Sequence, residues 1–413
     1  MRQHHADTPC VAPLQNSAQQ YTWGHTEGIL PFIQANQKPG FPIGEVWLGS
    51  HERAPSSLLI GGAARPLDEL IREDPLHWLG DRVAERFHDM PYLFKVLAAG
   101  SPLSLQVHPN LAQAQEGFAR EERSGLPRSA PERTYKDPRH KPELAVALTP
   151  FTAMAGFRDS TEIARLLGRE LARRLDFNVR KPEEFREFIR RLFSMRPDVF
   201  ASGLERSLAA RANELASSAA AREQDAGSLV LELQSLYPHD PGQFGPLLFD
   251  ILKLSPGEGL FVPAGVIHAY ARGSILEIMA CSDNVIRAGL TIKYVDVDLL
   301  CDILDPVAVP SRIAPEIQRP DWGERALYAT PAEEFRLERW TMSAAPEEAR
   351  AELAPEGPEI LLCTEGEFSL SRGSAPPSTL SARQSCFIAG GCGDVNIEGH
   401  GTLWRAAIGG DLA

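Results

Sequence analysis

Two segments of the sequence place potential metal ligands in settings that fix the direction of their side chains. Gln106 and His108 lie in 103–108, a segment that predicts a buried strand. Alternate residues of a strand point to one face and lie about 6.6 Å apart, so these two side chains could share one ion. His268 follows an apolar strand and a Pro-x-Gly turn at 263–265, which predicts that its imidazole points back between the strands.

Glu143, in the segment His140-Lys141-Pro142-Glu143, offers a fourth ligand of oxygen type. A single histidine beside a strand is more often a packed core or surface residue than a ligand. Imidazole nitrogens with carboxylate and amide oxygens suit a borderline divalent ion, and a site with few thiolates is more typical of catalysis than of structural support. The four ligands together therefore predict one zinc ion per chain.

The spacing around these ligands resembles the two halves of the cupin β-barrel fingerprint. One half is Gly, five residues and Gln-x-His, and the other is Gly, five residues, Pro-x-Gly, two residues and His. The chain departs from the fingerprint in three ways: Gln106 replaces the usual first His, no Glu follows His108 at the expected offset, and Arg272 replaces the closing Asn. Glu143 could take the place of the missing Glu.

Three longer motifs resemble type I mannose-6-phosphate isomerases. They are Leu105 to Asn110, Tyr135 to Glu143 and Ser282 to Lys293, with weaker support from 21–24, 44–51 and 91–97. The resemblance covers roughly residues 18 to 305. Two positions depart from it, because Arg139 stands where the family commonly has Asn and Ile267 where it commonly has Pro.

This resemblance implies a zinc-dependent aldose-ketose isomerase that interconverts mannose 6-phosphate and fructose 6-phosphate in carbohydrate metabolism. Such a reaction moves a proton between C1 and C2 through an enediol, which requires a base and a Lewis acid for the charge on the two oxygens. The base stays open. Lys141 and His140 lie in the segment of Glu143, while Glu277 and Asp283 are carboxylate alternatives. Glu277, in an apolar strand, could instead only pair with a neighbouring cation.

By the same resemblance, four residues match positions that the family uses for substrate: Lys95, Ser104, Arg287 and Lys293, with Arg287 singled out as catalytic. Taken alone, each cation would more often be a solvated surface charge. Lys95 differs, because it lies in the apolar strand 93–97, where an unpaired ammonium would be costly. Tyr270, Asp283 and Trp23 are further candidates for contacts with the sugar.

Two other functions compete with this interpretation. One is an iron-dependent cupin oxygenase, and the other is a non-catalytic sugar-binding protein. The isomerase is favoured because Lys95, Lys141, Arg287 and Lys293 all fall in segments next to the proposed ligands.

The elements that must position these residues change character along the chain. Strands are predicted at 44–49, 57–60, 92–98 and 103–108 with a helix at 67–73, helices fill 160–236, and strands resume from 247 through 275–279 and 290–294. The prediction is a mainly β fold with a helical insert. Residues 1–158 with 237–330 form a cupin-like β-barrel (jelly roll) that carries the metal, 159–236 a helical domain, and 331–413 a second, metal-free cupin-like barrel.

Composition agrees with a large globular enzyme. The chain has 413 residues, 43% of them hydrophobic, which suffices for two or three domains. A net charge of −13 argues against nucleic acid as a partner. Six cysteines without a CxxC pair predict reduced thiols and a cytoplasmic location. No apolar run approaches the length of about 20 residues that spans a bilayer, and residues 1–20 lack the apolar region of a signal peptide. The expected partner is a small sugar phosphate, and the expected state is a monomer.

Overall fold

A computed structural model describes residues 9–34, 40–343 and 350–410 of the chain. In chain order the strands are β1 (Val11–Gln15), β2 (Ser17–Gln19), β3 (Glu45–Leu48), β4 (Ser57–Ile60), β5 (Ala63–Pro66), β6 (Tyr92–Ala99), β7 (Leu105–Val107), β8 (Glu143–Ala147), β9 (Phe151–Phe157), β10 (Phe249–Leu254), β11 (Gly259–Val262), β12 (His268–Ala280), β13 (Ile286–Gly289), β14 (Ser311–Ile313), β15 (Glu316–Gln318), β16 (Gly323–Tyr328), β17 (Arg336–Met342), β18 (Arg350–Leu353), β19 (Glu359–Ser371), β20 (Ser378–Ser381), β21 (Ser385–Ile388) and β22 (Val395–Ala407).

The helices are α1 (Leu67–Glu73), α2 (Pro75–Leu79), α3 (Asp81–Phe87), α4 (Leu111–Ser124), α5 (Ser160–Arg174), α6 (Pro182–Phe193), α7 (Pro197–Val199), α8 (Glu205–Ala216), α9 (Ala221–Leu236), α10 (Gly245–Leu248) and α11 (Val297–Ile303). A π-helical turn, Phe200–Leu204, and a 3-10 turn, Pro241–Phe244, complete the regular structure. None of these helices within the described residues is long and apolar enough to cross a membrane.

One antiparallel sheet carries the predicted metal ligands. Its strands follow the order β14-β11-β8-β12-β6-β3-β2, with β7, β9, β10 and β13 attached beside β12. The two central strands, β6 and β12, are buried over most of their length, because their apolar residues face packed layers on both sides. β12 begins at His268 and pairs Glu277 with Lys95 of β6, so one strand positions residues at both ends of the site.

The predicted helical segment forms α5 to α9 and packs against this sheet. In α6, Phe185, Phe188, Ile189 and Leu192 recur at helical spacing and are all buried, whereas the residues between them face outward. Burying each such side chain stabilises the fold by about 1.5–3 kcal/mol. The same apolar cluster includes Val107 of β7 and Ala269 of β12, so the helical block supports the strands that carry the ligands.

The second sheet extends further along the chain than the sequence predicts. Its order is β15-β16-β17-β22-β19-β21-β1-β4-β5, and it includes β1, β4 and β5 from the N-terminal part as well as β15 and β16. The predicted boundaries, which place residues 1–158 and 237–330 together, therefore do not follow sheet membership. β1 pairs with β21, more than 370 residues away, and local periodicity cannot show such a pairing.

Two expectations are wrong. The strand predicted at 290–294 is a loop, because β13 ends at Gly289 and Leu290 adopts a left-handed φ of 56°. The cysteines are not all reduced, because Cys10 and Cys392 form a disulfide, whereas Cys281, Cys301, Cys363 and Cys386 are free and buried. The antiparallel pairing of β1 with β21 brings Cys10 next to residue 389, whose N–H donates to its carbonyl at 2.9 Å. The spacing of the cysteines in the sequence carries no sign of this contact.

Candidate metal centre and cleft

Three of the predicted ligands converge at the ends of neighbouring strands. His108 follows β7, Glu143 begins β8 and His268 begins β12, and their ligand atoms all lie within 4.8 Å of one another. The three side chains are at most 1% exposed. Gln106, the fourth predicted ligand, is the cross-strand partner of His268 and faces the same cleft.

Backbone carbonyls fix the orientation of both imidazoles. His108 Nδ1 lies 2.8 Å from the carbonyl oxygen of Asn284, and His268 Nδ1 lies 2.9 Å from that of Val266. A carbonyl only accepts, so each ring carries its hydrogen on Nδ1 and presents a lone pair at Nε2. Burial, and then the nearby Lys141, lowers the pKa of His108 to about 4, which keeps the ring neutral.

Both Nε2 atoms face the carboxylate of Glu143. His108 Nε2 lies 3.3 Å from one of its oxygens and His268 Nε2 lies 3.4 Å from the other. With the hydrogens on Nδ1, neither nitrogen donates to the carboxylate, and both lack a hydrogen-bond partner among the described residues. Three buried electron-pair donors that face one another without a hydrogen between them fit a shared cation.

The surroundings of Glu143 hold it ionised. Burial by itself would raise the pKa of Glu143, but the adjacent ammonium of Lys141 outweighs burial and holds the pKa well below its usual range. Lys141 Nζ donates to Glu143 at 2.7 Å, and the Tyr270 hydroxyl donates to its other oxygen at 3.3 Å. A carboxylate that stays ionised in a buried site is suited to hold a divalent ion.

The metal centre opens into a cleft of about 410 Å³. The predicted site residues that line it are Trp23, Lys95, Ser104, Gln106, Lys141, Glu143, Tyr270, Glu277, Asp283, Arg287 and Lys293. Stacked Trp23 and Tyr21, with centroids 4.9 Å apart, form one wall. A Cβ at Gly44 would lie 2.6 Å from the Trp23 ring, so only glycine lets this wall approach the sheet.

Of the predicted site residues, all of which the structure describes, only His140 neither lines the cleft nor belongs to the metal centre. Its Nε2 lies 2.6 Å from Glu334, which precedes β17, and the residue does not line the cleft. Its neighbour Lys141 points the opposite way, as adjacent residues of an extended segment do. Proximity in sequence therefore correctly indicates Lys141 as a neighbour of the metal centre but is wrong for His140.

A buried charge cluster forms the floor of the cleft. Lys95 Nζ donates to Glu277 at 2.8 Å and lies 3.7 Å from Glu45. Burial would lower the pKa of Lys95, but Glu277 and Glu45 raise it instead, so the amine is an ammonium. Burial raises the pKa of Glu277 although Lys95 opposes the change. Glu277 thus pairs with a cation, as the alternative for this residue predicts, and still has an increased proton affinity.

Two cations that line the cleft have no acidic partner among the described residues. Arg287 and Lys293 both line the cleft, and no carboxylate of the described residues forms an ion pair with either. Burial lowers the pKa of both, and the proximity of Arg287 and Arg53 lowers that of Lys293 further. Two cations without carboxylate partners in one cleft fit an anionic ligand.

Several residues of the site are absent from the predictions, among them Glu45, Arg53 and Asn284. Glu45 and Arg53 line the cleft, and Arg53 binds Asp283 at 3.2 Å. Asn284 is fully buried and donates to the carbonyl oxygens of 137 and 139, while its own carbonyl orients His108. Two of them could have been identified from the sequence, because Glu45 and Asn284 lie inside 44–51 and 282–293, two segments that resemble the family motifs.

Known proteins resemble this chain over nearly its full length. Residues 11–160 match the family model of phosphomannose isomerase type I, catalytic domain. Mannose-6-phosphate isomerase of Escherichia coli is 36% identical over 400 residues, which cover 95% of this chain and 98% of that protein. The human mannose-6-phosphate isomerase is 31% identical over 388 residues, which cover 87% of this chain and 88% of that protein. A zinc-bound crystal structure of mannose 6-phosphate isomerase has a TM-score of 0.85 and 33% identity, and it covers 97% of this chain and 100% of that one.

Proposed function

We infer that this chain, which belongs to the type I phosphomannose isomerase family, is a zinc-dependent isomerase that interconverts mannose 6-phosphate and fructose 6-phosphate. One observation carries this conclusion. Glu143, of the buried His108–Glu143–His268 centre, lines the same cleft as Arg287 and Lys293, two cations without carboxylate partners among the described residues. A sugar phosphate needs both features, because its reacting oxygens and its phosphate lie at opposite ends of the molecule.

The residues of the metal centre have distinct roles in this proposal. His108, Glu143, His268 and Gln106 hold the ion, which when bound supplies a Lewis acid worth several kcal/mol to charge that develops on the substrate oxygens. Lys141 holds the carboxylate of Glu143 at 2.7 Å and adds a second positive charge beside it. The iron-oxygenase alternative is not favoured, because the relatives and the zinc-bound neighbour carry isomerase names.

We assign the proton transfer between C1 and C2 to Glu277. It is buried, lines the cleft and has a raised pKa, which suits a carboxylate that accepts a proton from carbon and returns it to the neighbouring carbon. Lys95, at 2.8 Å, balances its charge in the ionised form. Lys141 is the less suitable base, because its ammonium already donates to Glu143.

The rim residues orient the substrate. Arg287 and Lys293 attract the phosphate, and Ser104 offers a hydroxyl from the segment that leads into β7. Trp23 and Tyr270 cover the faces of the sugar. Asp283, held by Arg53 at 3.2 Å, is placed to accept hydrogen bonds from sugar hydroxyls. Because Arg287 is the cross-strand partner of Gln106, it also lies close enough to the metal centre to stabilise a developing oxyanion.

The architecture completes the proposal. The first sheet is proposed to form the cupin-like barrel of the enzyme, the helical block its inserted domain, and the second sheet a metal-free barrel. A metal-free second barrel is supported by the cluster of buried apolar side chains that the strands of the second sheet contribute, among them Leu361, Phe368 and Leu403. A monomer in the cytoplasm remains the proposed state of the protein, with no nucleic-acid or membrane partner.

A coupled assay on the purified protein tests the function. Mannose 6-phosphate should be converted to fructose 6-phosphate, chelation should abolish turnover, and added Zn²⁺ should restore it. His268→Ala should lose most of its bound zinc by elemental analysis, because the centre keeps too few ligands. Turnover that survives complete removal of the metal would contradict the proposal, as would full zinc stoichiometry in His268→Ala.

A further inference from the structure

One short pattern, Glu-x-Trp, occurs in a strand of each sheet. In β3, the Trp47 indole donates to Glu45 at 2.6 Å, and in β17 the Trp340 indole donates to Glu338 at 2.7 Å. Residues two apart in a strand share a face, so the indole holds the carboxylate beside it in one direction. The chain therefore contains the same carboxylate–indole pair twice.

In each sheet, the pair binds a buried cation that also pairs with a second glutamate. These four side chains form a set. In the first sheet, Lys95 lies 3.7 Å from Glu45, 2.8 Å from Glu277 and 5.6 Å from the centre of the Trp47 ring. In the second sheet, Arg405 lies 3.4 Å from Glu338, 2.6 Å from Glu359 and 5.7 Å from the Trp340 ring. The strand registers differ, since Lys95 is opposite Trp47 whereas Arg405 is opposite Glu338, yet the distances agree closely.

The two sets differ in their surroundings. Glu338 is fully buried and is also bound by Arg325 at 2.6 Å and Arg336 at 3.1 Å, so its set is closed and balanced by cations. All four members of the first set line the cleft. In the second sheet, the hydrogen bond from the indole to the carboxylate only supports packing. In the first sheet, the same bond acts on a lysine and a glutamate that line the cleft.

We propose that Glu45 is a positioning residue of the isomerase, which fixes the ammonium of Lys95, and through it Glu277, at the reacting end of the cleft. Lysine has a long flexible side chain, and one ion pair with Glu277 leaves its direction free. A second carboxylate that is itself held by Trp47 removes this freedom. This inference rests on the proposed function.

The charge of Glu45 determines the kinetic signature. A negative charge in the cleft does not attract an anionic substrate, so its removal leaves KM unchanged or lowers it. Loss of the Lys95 geometry acts on the transition state instead, and a misplacement of about 1 Å at a reacting group costs up to about 10²-fold in rate. A positioning role therefore predicts a fall in kcat without a rise in KM.

The test compares Glu45→Gln with Glu338→Gln. Glu45→Gln keeps the size of the side chain and an acceptor for the indole but not the attraction for Lys95, and kcat per zinc-loaded molecule should fall about 10-fold or more at equal or lower KM. Trp47→Phe, which keeps an aromatic ring but no N–H donor, should lower kcat in the same direction by a smaller factor. Glu338→Gln should lower the Tm and leave kcat and KM unchanged.

Several results would overturn the inference: a wild-type kcat in Glu45→Gln, an equal loss of kcat in Glu338→Gln, or a KM that rises together with the loss of kcat. If Glu45→Gln does not fold, the kcat and KM of Trp47→Phe decide by the same criteria. The wild-type assay separates the two proposals. A wild-type protein without isomerase activity contradicts the proposed function, whereas an active wild type with an unaffected Glu45→Gln variant contradicts only the role of Glu45.

Discussion

At the scale of single residues, hydrogen-bond partners decide which side chains can take part in chemistry. His108 and His140 are both histidines near Glu143 in space or in sequence. His108 donates from Nδ1 to a carbonyl and presents a free Nε2 to the centre, whereas the Nε2 of His140 is engaged by Glu334 outside the cleft. The sequence predicts the residue types of the site well, but it does not show the direction of a side chain in an irregular segment such as 136–142.

Arg287 offers a prediction at this scale that separates two roles. If its guanidinium stabilises the enediolate, its contact is stronger in the transition state than with substrate, and Arg287→Ala should lower kcat by about 10² or more while KM changes less. If it only binds phosphate, the loss should appear mainly in KM. Arg287→Lys should retain part of the phosphate attraction but not the two-pronged geometry.

Steady-state kinetics over a range of mannose 6-phosphate concentrations measure this separation. Lys293→Ala serves as the comparison, because Lys293 lies at the exposed rim and should affect mainly KM. A variant of Arg287 with wild-type kcat and wild-type KM would mean that this cation has no role in the reaction.

At the scale of elements, regular strands and helices follow from the sequence and loops do not. The buried alternation of β7 and the apolar run of β6 predict strands within one or two residues of their observed ends, and the helical spacing of α5 and α6 is equally clear. The segment 290–294 alternates like a strand but is a loop. Its conformation depends on Asp240, which belongs to a different part of the chain.

Asp240 holds this loop from the end of the helical block. Its carboxylate accepts from the backbone N–H of Gly242 at 2.7 Å and of Thr291 at 3.3 Å, next to the left-handed Leu290. Asp240→Ala should loosen the loop that carries Lys293, raise KM several-fold and change kcat less. Loss of these two bonds should lower the free energy of unfolding by about 1–3 kcal/mol.

Asp159→Ala is a matched control for this prediction. Asp159 caps α5 by accepting from the N–H of Thr161 at 2.8 Å, so its removal should cost about 1 kcal/mol of stability without a change in KM. Kinetics and thermal unfolding of both variants provide the comparison. Equal KM values in the two variants would show that Asp240 does not position the substrate-binding loop.

At the scale of the whole molecule, long-range strand pairing determines which strands share a sheet, and local sequence does not show that pairing. The first sheet, which carries the metal ligands, is built largely from strands that are neighbours in the sequence and from the two segments on either side of the helical block. Its strands could therefore be predicted. The second sheet recruits β1, β4 and β5 from the N-terminal part. Their residues alternate like those of any strand, and nothing local distinguishes a partner in β21 from one in β3.

The disulfide between Cys10 and Cys392 closes this second sheet across a sequence separation of 382 residues. A crosslink over so long a loop restricts the unfolded chain, so Cys10→Ser should lower the free energy of unfolding by about 2–4 kcal/mol. Catalysis should be unaffected, because the cleft lies in the other sheet.

Thiol titration of the unreduced, denatured protein should find the four free cysteines, and reduction should raise the count to all six. Thermal unfolding with and without reductant measures the stability change, and the double variant Cys10→Ser with Cys392→Ser, whose Tm should not respond to reductant, is the control. Six titratable thiols before reduction, together with a wild-type Tm in Cys10→Ser, would show that the two cysteines are not bonded in the purified protein and would restore the expectation of a fully reduced chain.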